Sequence, residues 1–123
     1  MEKKKLLFVC TVNLNRSPTA EALFKGSKKY QAKSVGINQL AKTVISGQAI
    51  RWADIVFCME NIHKEYILEN FPEVNSKEII VLNIPDIYIK DDPELVNLLK
   101  KKLKSFMSRS LPKTPYFSME STS

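Results

Sequence analysis

Short apolar runs alternating with helix-like stretches constrain this chain more than any other feature. Residues 6–10, Leu6-Leu7-Phe8-Val9-Cys10, are uninterruptedly apolar between polar flanks, as in a strand buried on both faces. Residues 54–59 repeat the pattern, and residues 32–37 and 78–82 are weaker versions of it. Between the runs, Ser17-Pro18 reads as a helix start, with serine at the cap and proline at the first helical position. That helix is expected to continue from Thr19 to Tyr30 with Ala22, Leu23 and Phe24 as buried candidates. Residues 46–53 read as a helix presenting Ala49, Ile50 and Trp52, and residues 61–71 as a helix stopped by Pro72. A last helix begins at Asp92-Pro93, Asp92 capping it. Leu95, Leu98, Leu99, Leu103 and Phe106 share one of its faces, while Lys100, Lys101, Lys102 and Lys104 cover the other. Such alternation predicts a three-layer α/β/α domain with a central four-stranded parallel sheet. Ligands in such sheets bind beyond the carboxyl ends of the strands, where Cys10, Met59 and Asp86 fall.

Composition narrows the function classes. A chain of 123 residues has room for one core, read as an α/β domain over residues 1–107. Residues 108–123, rich in Ser, Pro and Thr, read as a poorly ordered tail. Hydrophobic residues at 44% against 26% charged exclude a disordered chain. No apolar run approaches the ~20 residues of a membrane span, and the basic start is followed by too short an apolar stretch for a signal peptide. Two cysteines and a single histidine supply neither a disulfide framework nor a metal site, so no metal or cofactor is expected and the expected location is the cytoplasm. The net charge of +6 suits anionic partners. Its lysine clusters read as solvated faces, and without a recognition motif nucleic-acid binding is the weakest of the readings.

The sharpest local pattern is Cys10-Thr11-Val12-Asn13-Leu14-Asn15-Arg16-Ser17-Pro18. A cysteine closes a buried strand, and an arginine follows just before a helix. A short strand-to-helix loop can turn its N–H groups inward, and the helix N-terminus adds partial positive charge. An arginine can hold two phosphoryl oxygens at once. In such a field a cysteine is favoured as the thiolate, a strong nucleophile. The bland reading is a buried cysteine near an unrelated arginine. The position between an apolar strand and a helix cap favours the chemical one.

These residues resemble a known family. Leu7-Phe8-Val9-Cys10 through Asn13, then Arg16-Ser17-Pro18-Thr19-Ala20-Glu21-Ala22-Leu23-Phe24, look like the signature of low-molecular-weight protein tyrosine phosphatases. Ser34-Val35-Gly36 stands where that family has Ser-Ala-Gly, and Ala53-Asp54-Ile55-Val56 with Met59-Glu60 resembles its strand ending in Met-Asp. Segments Ile84-Pro85-Asp86 and Asp92-Pro93-Glu94-Leu95 are similar to a short bacterial branch of predicted phosphatases. The resemblance spans residues 5–106. It implies phosphomonoester hydrolysis, on a phosphorylated protein (phosphotyrosine) or a small aryl phosphate, through a cysteinyl-phosphate on Cys10. Arg16 and residues Thr11, Val12, Asn13, Leu14, Asn15 and Ser17 would bind the phosphoryl oxygens. Asn13 would hold the loop conformation, Ser17 would stabilise the Cys10 thiolate, and Asp86 would act as general acid and then base.

Several positions depart from the family pattern. Valine at 12 replaces a usual glycine, and Asn15 replaces a second loop cysteine, which removes the same-loop disulfide switch. No aromatic residue lies in 38–46 to wall a phosphotyrosine pocket, leaving Tyr88 as the candidate. The family's acid precedes proline and an aromatic pair; here Asp86 follows Pro85, and Asp92 precedes Pro93. Asp86 is preferred, since Asp92 has a role as helix cap. The departures support a rival reading, a catalytically weak phosphatase-like domain that binds an oxyanion or phosphorylated partner. Cys58 and Trp52 read as core residues, although Cys58, ending a neighbouring strand, could bring its sulfur to Cys10. His63 reads as a surface or internally satisfied residue.

Overall fold

The structure, a computed structural model, describes residues 2–110. Four strands, β1 (Lys4–Cys10), β2 (Tyr30–Gly36), β3 (Ile55–Cys58) and β4 (Glu78–Val81), form one parallel sheet in the order β2-β1-β3-β4. The helices are α1 (Arg16–Ala22), α2 (Gly47–Trp52), α3 (Asn61–Asn70) and α4 (Pro93–Ser110), with a short 3-10 helix at Pro72–Ser76. This is the expected four-stranded parallel architecture. α4 takes in the first residues of the segment read as a tail, and residues 111–123, with Tyr116 and Phe117, lie outside the described residues.

Strand alternation sorts the core into two faces. Leu6, Phe8 and Cys10 of β1 and Ile55 and Phe57 of β3 pack with Ala20, Phe24, Leu95, Leu99 and Leu103, beneath α1 and α4. Leu7, Val9, Val56 and Cys58 face the other way, against Ile50 of α2 and Ile67 of α3. Phe8 stacks between Phe24 and Phe57, with ring centroids 5.8 and 5.2 Å apart. Leu95, Leu99 and Leu103 are fully buried at four-residue spacing, each contributing roughly 1.5–3 kcal/mol of burial.

The first helix differs from its sequence reading. It begins one residue before Ser17, with Asn15 at the cap position, and ends at Ala22. Turns at 23–26 and Gly26 at φ 82° bring the chain round, so Tyr30 opens β2 instead of closing a helix. Of the three candidates there, Phe24 is buried, Leu23 half-buried and Ala22 exposed. A helix start at Arg16 turns Ser17 inward, fully buried, where it serves the cysteine. At α2, Ser46 caps as its residue type predicts, its hydroxyl accepting from the Ala49 N–H at 3.1 Å.

The chain leaves β1 toward β2 on one side and leaves β3 toward β4 on the other. This order makes a crevice at the carboxyl ends of β1 and β3, the usual place for a ligand in an open parallel sheet. The loop 11–15 and the start of α3 border it.

Candidate active site

Cys10 ends β1, and the loop after it folds back over its sulfur. The Asn13 N–H donates to Cys10 Sγ at 3.2 Å, and Ser17 Oγ lies 3.0 Å from the same sulfur. Asn13 adopts the left-handed φ of 58° that makes this return possible, a conformation asparagine tolerates better than most residues. Its side-chain Nδ2 donates to Ser17 Oγ at 2.8 Å. With its oxygen so occupied, the Ser17 hydroxyl has its one proton free for Cys10 or, at 3.3 Å, for the Val35 carbonyl. A thiolate takes that proton in preference, because a charged acceptor makes the stronger bond.

Val12, the departure from glycine, is not strained. Positive φ among described non-glycine residues occurs at Asn13, Asn83 and Asp91. A glycine is required instead at Gly36, where a Cβ would stand 2.5 Å from the Thr11 carbonyl oxygen and 3.0 Å from Asn13 N. The loop rests directly on the end of β2, and this contact sets its height over the sheet.

Arg16 is almost wholly buried, 2% exposed. A guanidinium is tolerated there only when charge-paired and hydrogen-bonded. Its Nη1 donates to Glu60 Oε1 at 2.6 Å and to the Ile84 carbonyl at 2.9 Å. Nη2 reaches Thr11 Oγ1 at 3.4 Å, and Nε lies 3.7 Å from Asp86 Oδ1. Asp86, on the segment after β4, thus stands beside the arginine with its side chain mostly exposed. Asp92 does the other job: its Oδ1 accepts from Glu94 N–H at 2.8 Å at the start of α4.

Glu60 and His63, at the start of α3, complete the arrangement. The Glu60 N–H donates to His63 Nδ1 at 2.9 Å, so the ring proton is on Nε2, which donates to Thr11 Oγ1 at 3.0 Å. Burial, and after it the charge of Arg16, push the His63 pKa down to about 4. His63 is therefore a neutral clamp between α3 and the loop, an internally satisfied histidine. Sequence reasoning did not place Glu60 at the site. The available signal was Glu60-x-x-His63 directly after a buried parallel strand, a position that faces the crevice.

Of the remaining expected residues, Leu14 is exposed on the loop and Asn15 half-buried. Tyr88 is half-buried against the α4 side of the core, while its neighbours Ile87 and Ile89 are exposed. Cys58 does not approach Cys10. It pairs with Val9 in register and points to the opposite face of the sheet. A cavity of about 610 Å³ behind the loop, lined by Asn13, Pro18, Glu21, Lys42 and Trp52 among others, contains neither Cys10, Arg16 nor Asp86.

No family profile matches the chain. A curated relative, the protein-arginine-phosphatase of Geobacillus stearothermophilus, is 32% identical over 59% of this chain and 66% of its own length, just under two thirds. The solved arginine phosphatase structure from the same organism is 25% identical, with 90% of this chain and 99% of that one covered and a TM-score of 0.62. These similarities support the low-molecular-weight protein tyrosine phosphatase family that the sequence resembles. Two further structures share the fold of that family. They are a low-molecular-weight protein tyrosine phosphatase from Streptococcus pyogenes (20% identity, 89% and 95% covered, TM-score 0.72) and the tyrosine phosphatase Wzb from Escherichia coli K30, solved with phosphate (23%, 89% and 99%, 0.69).

Proposed function

We propose that the chain hydrolyses phosphomonoesters, with protein phosphotyrosine or an aryl phosphate as substrate, through a cysteinyl-phosphate on Cys10. The observation that carries this reading is the loop itself: a sulfur receiving the Asn13 N–H and facing the Ser17 hydroxyl, beside a buried arginine with an aspartate at its edge. The Cys10 thiolate attacks phosphorus as the bond to the leaving oxygen breaks. Asp86 gives its proton to that oxygen. Arg16 and the N–H groups of residues 11–17 hold the equatorial oxygens, where negative charge is spread in the transition state. Asp86, now a carboxylate, takes a proton from water, which attacks the phosphocysteine, frees inorganic phosphate and regenerates the thiolate.

Leu14 on the loop and Ile87 and Ile89 on the acid-bearing segment are exposed, which supports an aromatic ester by offering apolar surface to a ring. The name of the curated relative favours a second reading, phosphoarginine, whose cationic leaving group would meet Asp86 and Glu60. Paired kcat/KM values on phosphotyrosine and phosphoarginine peptides separate the two; the apolar surface predicts preference for phosphotyrosine. No helix among the described residues is long and apolar enough to cross a membrane, and two free cysteines fit a reducing compartment such as the cytoplasm.

Hydrolysis of an aryl phosphate by wild type and Cys10→Ser is the test. Loss of turnover by a factor of ~10³ or more, with vanadate still bound by the variant, is the expected result. Turnover in Cys10→Ser at the wild-type rate would remove the nucleophile assignment. A wild type that binds vanadate tightly and hydrolyses nothing would make the domain a receptor for a phosphorylated partner.

A further inference from the structure

The segment 83–92, which carries Asp86, has no regular secondary structure, yet it is fastened at both ends. At the near end Ile84, fully buried, donates its N–H to the Met59 carbonyl at 2.8 Å and accepts from Arg16 Nη1 at 2.9 Å. At the far end the Lys90 N–H donates to Asn15 Oδ1 at 3.0 Å, and the Asp91 N–H donates to Thr19 Oγ1 at 2.9 Å. Thr19 Oγ1 itself donates to the Asn15 carbonyl at 2.7 Å, which turns its lone pairs toward Asp91. Asp91 holds a left-handed φ of 64° at this junction. Thr19 is 1% exposed, so water does not compete for its bond. Between the anchors, Asp86 meets Arg16 only at 3.7 Å from Nε, too long for a hydrogen bond. The place of its carboxyl therefore depends on where the two anchors hold the segment.

We propose that Asn15 and Thr19 are positioning residues for the general acid, fastening the Asp86 segment to the phosphate-binding loop by accepting the N–H groups of Lys90 and Asp91. Asn15 occupies the place of the lost loop cysteine, and in this chain that position holds a loop in place of protecting a sulfur. The proposal rests on the phosphatase reading above and on Asp86 as the acid. Its consequence is selective: leaving groups that depart unaided do not need a well-placed proton, whereas basic ones do.

The experiment measures kcat/KM for aryl phosphates whose phenols span pKa values of about 5 to about 10, with wild type, Thr19→Val, Thr19→Ser, Asn15→Ala and Asp86→Asn. Thr19→Val is nearly isosteric and removes the acceptor; Thr19→Ser restores it. Thr19→Val is expected to cost about tenfold on the most basic leaving group and less than about twofold on the most acidic, a weaker copy of Asp86→Asn, and Asn15→Ala should steepen the leaving-group dependence in the same direction. Thr19→Ser should return the slope to wild type. Hydrogen exchange at the Asp91 amide should accelerate in Thr19→Val and recover in Thr19→Ser. A loss uniform across the series, or an unchanged Asp91 amide, would overturn the positioning role and leave the phosphatase reading intact. A wild type without turnover on any ester would remove that reading and this role together.

Discussion

Cys10 and Cys58 end neighbouring strands, yet their surroundings give them opposite chemistry. Cys58 is fully buried, and burial, against a small opposing pull from Lys64, pushes its pKa up to about 12. It stays a neutral core thiol at any physiological pH. Cys10 has an N–H and a hydroxyl aimed at its sulfur. An alkylating reagent at neutral pH should therefore modify one thiol per folded chain, and none in Cys10→Ser. Intact-mass measurement would show it, and a labelled Cys58 in the native protein would contradict the assignment. Inorganic phosphate should slow the labelling. At this scale the sequence was informative where chemistry is local: Cys10, Asn13, Arg16 and Ser17 lie between the end of one strand and the first turn of the next helix, and that spacing limits what they can do. It was uninformative where partners are distant. Nothing in a lone histidine tells that its Nε2 meets a hydroxyl 52 positions earlier, and Asn15 was legible as a loop residue and an absent cysteine but not as the acceptor of the Lys90 N–H.

Among elements, the loop after β1 owes its shape to close approach between neighbours. Gly36 at the end of β2 admits the Thr11 carbonyl and the Asn13 amide, and Ala41 crowds the same point, its Cβ 2.8 Å from where an alanine Cβ would stand. Gly36→Ala forces the loop or residues 38–41 to move. We expect a loss of roughly 1–3 kcal/mol in stability and a fall of about tenfold or more in kcat/KM, since displacement of ~1 Å is enough to spoil alignment at a reacting centre. Denaturant melts and kinetics would measure the two effects; an unchanged kcat/KM would mean the loop tolerates the shift. Strands and helices were legible because burial imposes period and run length on them, as in the four-residue spacing of Leu95, Leu99 and Leu103. The early end of α1 was not, because Leu23, Phe24 and Tyr30 satisfy a helical pattern as well as the turn and strand that they form. The segment 83–92 has no period to read; side chains on another element hold it.

For the whole molecule, the site joins the two halves of the core. Arg16 opens α1 on one side of the sheet, and Glu60 and His63 open α3 on the other, so folding both halves assembles one network. This couples stability to pH. His63 has a folded pKa near 4 against 6.5 for the unfolded chain. Between these values the unfolded chain binds more protons, so the stabilisation is complete above about pH 6.5 and is lost as pH falls toward 4. Below that, a proton on Nδ1 also displaces the Glu60 N–H from its acceptor. Thermal melts from pH 7 to 4 should show Tm falling through this window, and His63→Gln should flatten that part of the slope. A wild-type Tm constant over the window would show that His63 charges freely in the folded state.

The placement of the two cysteines on opposite faces of the sheet has a consequence under oxidative stress. Peroxide converts a cysteine thiolate to a sulfenic acid, which is rescued when a second thiol condenses with it. In this chain Asn15 replaces the nearby candidate, and Cys58, the other cysteine of the sequence, faces away. A sulfenic acid on Cys10 must therefore be captured by a small thiol such as glutathione or advance to the irreversible sulfinic acid, so the reducing capacity of the surroundings sets how long the protein survives oxidation.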